Sequence, residues 1–238
     1  MEALIFRLSA AMGSMSESRS NDLYDTKSRP MRSAIIGTLA AAIGIDREDY
    51  DGLNSLSNSV VVTIAQRNIG KSLRDYHTIQ SVESGVKKKF FSRADALEWG
   101  SGQYNPKKIH CKPATKMYMT DIVYDIIIQL TPDATISLSD LENSLNSPKY
   151  ILYFGRRCCP LTEPLVPKIM DFSDVISLVS SYSDIRGEDI NDLDVRFIGD
   201  SSVIGTKNTQ QDSRRELCIY GPINRYGKSK TVILDHSY

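Results

Sequence analysis

The order of its apolar segments is the feature that most constrains the fold of this chain. Short runs rich in β-branched residues alternate with segments that repeat apolar side chains at helical spacing. These patterns predict, in chain order, a strand at 3–9, a helix at 30–43, strands at 60–65 and 121–130, a helix at 137–145 and a strand at 150–154. The order β-α-β-β-α-β is the split motif of ferredoxin-like α+β domains. We therefore predict one sheet with two helices packed on one face.

Between the second and third predicted strands lies a long insertion. A short helix is predicted at 46–56, before the second predicted strand. The stretch from Gly70 to Lys116 shows no regular pattern and interleaves Gly, Ser and Lys with aromatic residues. Because regular patterning is absent, we predict an irregular loop here. A loop of that length inside a compact domain is usually functional.

The last third of the chain has a weaker pattern. Residues 172–178 fit a helix, and 217–220 with 231–234 fit a terminal hairpin. The predicted organisation is a ferredoxin-like domain at 1–165, with its insertion at about 74–118, and a β-rich C-terminal extension at 166–238 that packs on the same domain.

The charge of the chain is balanced overall but uneven along its length. The 29 basic and 29 acidic side chains cancel, which argues against a nucleic-acid binder that works alone. From Arg74 to Lys116, nine bases face four acids, and from Asp171 to Glu216, ten acids face five bases. This asymmetry indicates a basic surface for an anionic partner and an acidic part that could face basic proteins.

The cysteines and apolar runs predict a cytoplasmic protein without a cofactor or metal. Cys158 and Cys159 are adjacent, a spacing that suits neither a disulfide nor a zinc site, so reduced thiols are expected. The first residues have no signal-peptide pattern. The most apolar run, 122–130, has nine residues and contains Asp125, so it is too short to span a membrane.

The predicted helix after Pro30 has an unusual charge at its start. Proline suits the first helical position, and Gly44 suits the left-handed residue that ends a helix. Lys27, Arg29 and Arg32 crowd the N-terminus, where the helix dipole is already positive. Either these side chains extend into water, or they meet an anion such as a phosphate.

Two further segments could bind nucleic acid. In Gly155-Arg156-Arg157, a glycine permits close backbone approach and two guanidinium groups suit phosphates, although a solvated turn is the alternative. The basic and aromatic insertion fits a single-stranded nucleic-acid surface, or else a flexible charged loop.

A nuclease is the catalytic alternative. Metal-free RNA cleavage needs a general base and a general acid, which Tyr76, His77 and one of the lysines at 87–89 could supply. A histidine among basic residues is more often a hydrogen-bonding or stacking group, so a non-catalytic protein is the main prediction.

Three stretches together resemble one family. They are 29–44 with its Arg-Pro-Met-Arg-Ser-Ala start, Leu73-Arg-Asp-Tyr-His-Thr78, and Tyr153-Phe-Gly-Arg-Arg-Cys-Cys-Pro-Leu161 with Pro164-Leu165. In this order they are similar to the CasD family, the RAMP-superfamily CRISPR-associated subunits of type I-E Cascade. The resemblance covers about 4–165.

The resemblance implies a function and a set of partners. A RAMP-type, RRM-like domain would hold the 5′ handle of a CRISPR RNA, and the insertion would be a thumb that folds over the guide. The implied protein partners are the backbone subunit CasC and the large subunit CasA, with target DNA met through the complex and guide processing left to CasE. The implied RNA-binding residues are Lys27, Arg29, Arg32, Ser33, Arg74, His77, Lys112, Lys116, Arg156 and Arg157.

Overall fold

The fold has fourteen helices and strands in the part of the chain that the computed structural model describes, residues 1–15, 23–24, 26–83, 85–101, 109–188, 195–199, 210–220 and 225–236. In chain order the elements are β1 (Glu2–Gly13), β2 (Leu23–Tyr24), α1 (Arg32–Ile43), α2 (Tyr50–Ser59), β3 (Val60–Asn68), β4 (Lys71–Val82), α3 (Arg93–Ser101), β5 (Ile109–Leu130), α4 (Leu138–Asn146), β6 (Lys168–Asp171), α5 (Val175–Arg186), β7 (Val195–Gly199), β8 (Gln210–Ile219) and β9 (Arg225–His236).

Strand β5, with 22 residues, is the longest and organises the sheet. Its C-terminal half lies between β1 and β3 and is antiparallel to both. β6 pairs with the outer edge of β1, and β7, β9 and β8 continue the sheet from β3. The strand order is therefore β6-β1-β5-β3-β7-β9-β8, so residues on both sides of Leu165 contribute to one sheet.

The prediction of a strand at 150–154 is wrong. The backbone N–H groups of Lys149 and Tyr150 donate to the carbonyl groups of Ala42 and Ala41, 2.9 and 3.1 Å away. These carbonyls belong to the last turn of α1, where they lack partners within the helix. The segment therefore caps α1 instead of joining the sheet, and β6 takes the edge next to β1.

Helices cover both faces of the sheet, whereas the sequence predicted helices on one face. α1, α2 and α4 pack on the first face over apolar side chains such as Phe6 and Ile126. On the second face, α5 buries Val179 and Tyr182 against Ile5 and Ile127. The sequence predicts a helix at 172–178, whereas the structure has α5 at Val175–Arg186.

The end of α1 and the start of α4 follow the sequence prediction, whereas the helix predicted at 46–56 lies at Tyr50–Ser59. Gly44 ends α1 with a φ of 93°, in the left-handed region that favours glycine. Ser137 and Asp140 form a reciprocal capping box at the start of α4. α1 itself starts at Arg32, two residues after Pro30, and Met31 provides no side-chain cap.

Arg7 is buried in the middle of β1. Its Nε donates to the Asp125 carboxylate at 2.7 Å, and Arg67 donates to the same carboxylate from β3. Arg7 also pairs with Glu188, which follows α5. Burial alone would lower the pKa of Arg7, but hydrogen bonds to Asp125 and Glu188 raise it above its ordinary value.

The region from Gly70 to Lys116 is largely a hairpin arm and not the irregular loop that the sequence predicted. β4 pairs with the N-terminal half of β5 in one register, from Lys71 opposite Thr120 to Val82 opposite Ile109. α3 packs near the far end, where Arg93 donates to the Gln80 carbonyl. We call β4, α3, the described residues between them and residues 109–120 of β5 the arm.

The arm leaves the sheet at a backbone irregularity. Gly70 has a φ of 72°, and a Cβ there would overlap the Thr120 carbonyl oxygen. On the facing strand, Asp121 adopts a φ of 54°, which is unusual for a residue with a side chain. A register shift between Gln66 and Asn68 lies beside them.

The C-terminal strands β8 and β9 form the predicted hairpin, with longer strands than expected; Leu217 lies opposite Gly227. Asn54 of α2 exchanges two hydrogen bonds with the backbone of Tyr220, at 3.0 and 2.9 Å. None of the described helices is long and apolar enough to cross a membrane.

Candidate nucleic-acid interface

The predicted basic segments meet at the end of β1. Ser14 donates through its backbone N–H to the Phe154 carbonyl at 3.2 Å, and its hydroxyl donates to the Met117 carbonyl at 3.4 Å. Met15 accepts from the backbone N–H of Lys27 at 2.7 Å. The two residues therefore join the loop before α1, the loop after Phe154 and the base of the arm.

In the loop before α1, the two predicted basic residues have different exposure. The Lys27 side chain is exposed. Arg29 is buried, with 4% of its surface accessible, so a phosphate has no access to it in this conformation. The loop is fixed to the sheet because the Ser28 carbonyl accepts from Gln66 Nε2 at 2.6 Å and from the Tyr124 hydroxyl.

Arg32 lies in the first turn of α1 and binds the end of α2. Its guanidinium donates to the Ser57 hydroxyl and carbonyl at 2.9 and 2.6 Å, and to the Val60 carbonyl at 2.9 Å. These are acceptors at the C-terminus of a helix, where cations are favoured. Arg32 thus has a structural role that the sequence did not indicate. Ser33, next to it, is half-buried.

The segment after Phe154 is a tight turn placed against β1. The Phe154 N–H donates to the Cys159 carbonyl at 2.8 Å. Gly155 has a φ of 81°, and a Cβ there would overlap the Ser14 carbonyl oxygen, so the close approach requires glycine. Arg157 follows on the outside of the turn and is exposed.

Arg156 links this turn to the arm. Its guanidinium carbon lies 4.8 Å from the centroid of the Tyr118 ring, which is cation–π geometry. Burial raises the pKa of Tyr118, while the hydrogen bond from Arg156 acts in the opposite direction. Sequence reasoning missed Tyr118; the alternation of Lys112, Lys116 and Tyr118 at even spacing was the signal that could have identified it.

The predicted RNA-binding residues of the arm lie on its two opposite faces. Residues directly opposite each other in an antiparallel pair share a face, and successive residues alternate. His77 is opposite Ala114, and Lys116 and Lys112 follow on the same face, as does Tyr118. Together with Arg156, these residues form what we call the basic face.

Arg74 lies on the other face of the arm, opposite Met117. On the basic face, His77 Nε2 lies 2.5 Å from the Asp75 carboxylate, with both side chains about two-fifths exposed (38% and 40%). The acidic partner restrains the imidazole, and Lys116 lies directly opposite Asp75.

The groups named for nuclease chemistry do not converge. Tyr76 and His77 are successive residues of β4, so their side chains lie on opposite faces of the arm. The lysines at 87–89 come after the end of β4. Among the described residues, no group of three or more potential metal ligands is found.

Comparison with known proteins identifies the class. The family model described as CRISPR-associated protein (Cas_Cas5) matches residues 3–224, nearly the whole chain. The chain belongs to this family of CRISPR-associated proteins. It is also similar to the CRISPR system Cascade subunit CasD of Escherichia coli (strain K12), with 31% identity over 194 residues, 78% of this chain and 79% of the relative. The resemblance to CasD that the sequence motifs indicated is confirmed.

Two solved structures share the fold. A chain of a CRISPR RNA-guided surveillance complex superposes with a TM-score of 0.67 at 19% identity, covering 99% of this chain and 90% of that one. A Cas protein known from a crystal structure gives a TM-score of 0.55 at 15% identity, with 99% and 94% coverage. The mixed α/β architecture with an antiparallel sheet is therefore shared with these two structures.

Proposed function

We propose that this chain is a non-catalytic, CRISPR RNA-binding subunit of a cytoplasmic Cascade-type complex, in which it holds the 5′ handle of the guide and caps the backbone filament for antiviral DNA targeting. In this proposal, β6-β1-β5-β3 with α1 and α4 form a ferredoxin-like domain of the RAMP type, and the arm is its thumb. The observation that supports the proposal best is the basic face of this chain, which joins the arm to the turn at Arg156. The similarity of the chain to CasD supports the same function.

The RNA would follow the basic face. Lys112, Lys116 and His77 would meet it along the arm, and Arg156 and Arg157 would meet it at the end of β1, with Lys27 close by. The distance from Lys112 to Lys116 along the strand is about 13 Å, at roughly 3.3 Å per residue, so the cations can contact different phosphates of one strand. Arg29, Arg32, Ser33 and Arg74 are weaker candidates because of their burial, internal partners or position on the opposite face.

The test is the RNA content of the complex purified through this chain. We expect a stoichiometric RNA with one uniform 5′ sequence, since a single handle would be bound. A double Lys112→Ala, Lys116→Ala variant should lower the RNA content, and Arg74→Ala is the matched charge control on the opposite face. An intact complex that contains all its protein subunits but no RNA would overturn the proposal.

The proposed protein partners are a CasC-like backbone subunit and a CasA-like large subunit, with target DNA reached through the complex. The acidic C-terminal part of the chain would suit basic partner surfaces. Cross-linking followed by mass spectrometry should place the arm next to the backbone subunit. Cross-links of the arm to the large subunit alone would contradict this arrangement.

An RNA-processing enzyme is the competing function. It predicts that the full chain cleaves repeat RNA in EDTA and that His77→Ala stops the cleavage. We expect no cleavage, because Tyr76 and His77 lie on opposite faces. Cleavage that depends on His77 would establish the enzyme instead.

A further inference from the structure

The outer end of the arm has an aromatic cluster that the basic face does not include. The rings of Phe90 and Trp99 pack with centroids 5.2 Å apart and planes inclined at 52°. Lys88 Nζ lies 5.6 Å from the Phe90 centroid and 5.4 Å from the Trp99 centroid. This packing holds the segment that precedes α3 against the helix.

Phe91 is fully exposed, although its backbone is held in place. Its N–H donates to the Asp95 carboxylate at 3.1 Å, and the Asp95 N–H donates to the Ser92 hydroxyl at 3.1 Å. A residue at this position, just before the N-cap, often packs against the fourth residue of the helix, here Ala96. The Phe91 side chain instead extends entirely into solvent.

The surroundings of Phe91 are basic. Between Gly85 and Arg93 the chain has four basic residues and no acid. The lysines at 87–89 and Arg93 are all exposed. Cores of protein interfaces are depleted in lysine. Surfaces for single-stranded nucleic acids combine cations for phosphates with aromatic rings on which bases stack.

We propose that Phe91 is a stacking platform for an unpaired base of single-stranded nucleic acid, with Lys87 and Lys89 meeting the adjacent phosphates. The contact lies beyond Lys112 on the arm and is separate from the basic face. It depends on the proposed function only in that the chain meets nucleic acid. Because every base has an apolar face, the contact should be tolerant of sequence.

The chain has a built-in probe for this contact. Trp99 is its only tryptophan and lies under Lys88 in the cluster. We expect a single-stranded oligonucleotide of about ten nucleotides, within the usual site size, to change the Trp99 fluorescence of the full chain. Phe91→Ala should weaken the affinity about 5- to 150-fold, the equivalent of one stacked base. Phe91→Tyr should bind nearly as the wild type does.

Ile151→Ala is the matched control, since Ile151 is an exposed apolar residue outside the arm. It should leave binding unchanged. Inorganic polyphosphate, which lacks bases, should bind the wild type and Phe91→Ala equally. RNA and DNA oligonucleotides of the same sequence distinguish a guide RNA from a target DNA strand. The loss of affinity in Phe91→Ala should appear with the oligonucleotide that the wild type binds more tightly.

Three results would overturn the platform. The first is an unchanged affinity in Phe91→Ala, and the second is an equal loss of polyphosphate binding. The third is a defect in assembly with protein subunits at unchanged nucleic-acid affinity, which would identify Phe91 as a protein contact. If Phe91→Ala binds normally while the double lysine variant of the basic face does not, only the platform fails. If the wild type binds neither oligonucleotide, the platform fails, and the proposed function is then decided separately by the RNA content of the purified complex.

Discussion

At the scale of single residues, Arg32 shows how an arginine at a helix start can serve the fold. The charge of the first turn of α1 suggested an anion site, yet three donor contacts of this guanidinium end on Ser57 and Val60. The cation is unfavourable at the N-terminus of α1 and favourable at the C-terminus of α2. The two helices are thereby tied together.

Arg32→Ala should lower the free energy of unfolding by about 1–2 kcal/mol, because several charge-assisted hydrogen bonds are lost at a partly exposed site. Urea denaturation measures this. Arg157→Ala is the control and should stay within about 0.5 kcal/mol of the wild type, since an exposed turn residue contributes little. An Arg32→Ala chain with wild-type stability but reduced RNA content would show that Arg32 binds RNA and does not stabilise the fold.

Asp125 is the second residue with a large expected effect. It is fully buried and forms ion pairs with Arg7 and Arg67 from two neighbouring strands, and Glu188 is the second carboxylate of this group. Asp125→Ala would leave both cations without this carboxylate, so we expect a loss of about 3–5 kcal/mol in unfolding free energy. Adding Arg7→Met should recover part of the loss. Strictly additive effects of the two changes would show that the pair does not interact.

At the scale of elements, the arm depends on Gly70. A side chain at this position would overlap the Thr120 carbonyl and would be strained at a φ of 72°. Gly70→Ala should therefore destabilise the arm and increase hydrogen exchange of β4 amides. Gly37→Ala is the opposite control, because Gly37 is an exposed helix residue with free space around it. That change should stabilise the chain by about 0.5–1 kcal/mol. Equal exchange of β4 in both variants would contradict the role of Gly70.

Local signals explain which elements could be predicted. α1 with its end at Gly44, and α4 with its capping box, follow from residues close together in sequence. The apolar run at 150–154 resembles a strand, but its pairing was decided by the carbonyl groups of α1 and by the competing β6. Such competition is not visible in one segment.

The arm and the buried charges were missed for a different reason. Both faces of the arm carry polar or charged residues, so the alternation that marks a half-buried strand is weak. The candidate site had the right basic turn at Arg156, but Tyr118 beneath it depends on strand register. Asp125 in an apolar run required buried cations, and only the strand pairing shows that Arg7 is one of them.

At the scale of the whole molecule, the carboxyl groups at the two ends of α5 should make the stability of the fold depend on pH. Burial alone would raise the pKa of Glu188, but Arg7 and Arg67 outweigh this and lower it. Backbone and hydroxyl donors of Ser177 lower the pKa of Asp174 at the start of α5. A carboxyl group with a lowered pKa stabilises the fold above its unfolded pKa, and this is lost as the pH falls.

We therefore expect the free energy of unfolding to decrease below about pH 4.5, the region where ordinary carboxyl groups titrate. Glu188→Gln should have a flatter dependence over this interval, measured by urea denaturation at a series of pH values. Glu142→Gln on α4 provides a carboxylate control on the opposite face of the sheet. The same slope in the wild type and Glu188→Gln would contradict a contribution from this ion pair.

The salt dependence of RNA binding tests the basic face as a unit. Each phosphate contact contributes about 0.7 to the slope of log affinity against log salt for a single strand. Removing Lys112 and Lys116 should therefore lower the slope by about 1.4, and Arg74→Ala should leave it near the wild-type value. An equal reduction in Arg74→Ala would show that the RNA does not distinguish the two faces.

The uninterrupted course of β5 makes the arm a lever whose pivot is the backbone at Gly70 and Asp121. Twelve residues at roughly 3.3 Å each extend about 40 Å, so a rotation of about 5° at the pivot would displace the outer end by about 3.5 Å. Small changes of two dihedral angles in the body would thus be magnified into an arc comparable to the spacing between stacked bases. The backbone conformation at Gly70 and Asp121 therefore determines where Phe91, at the outer end of the arm, lies relative to the sheet.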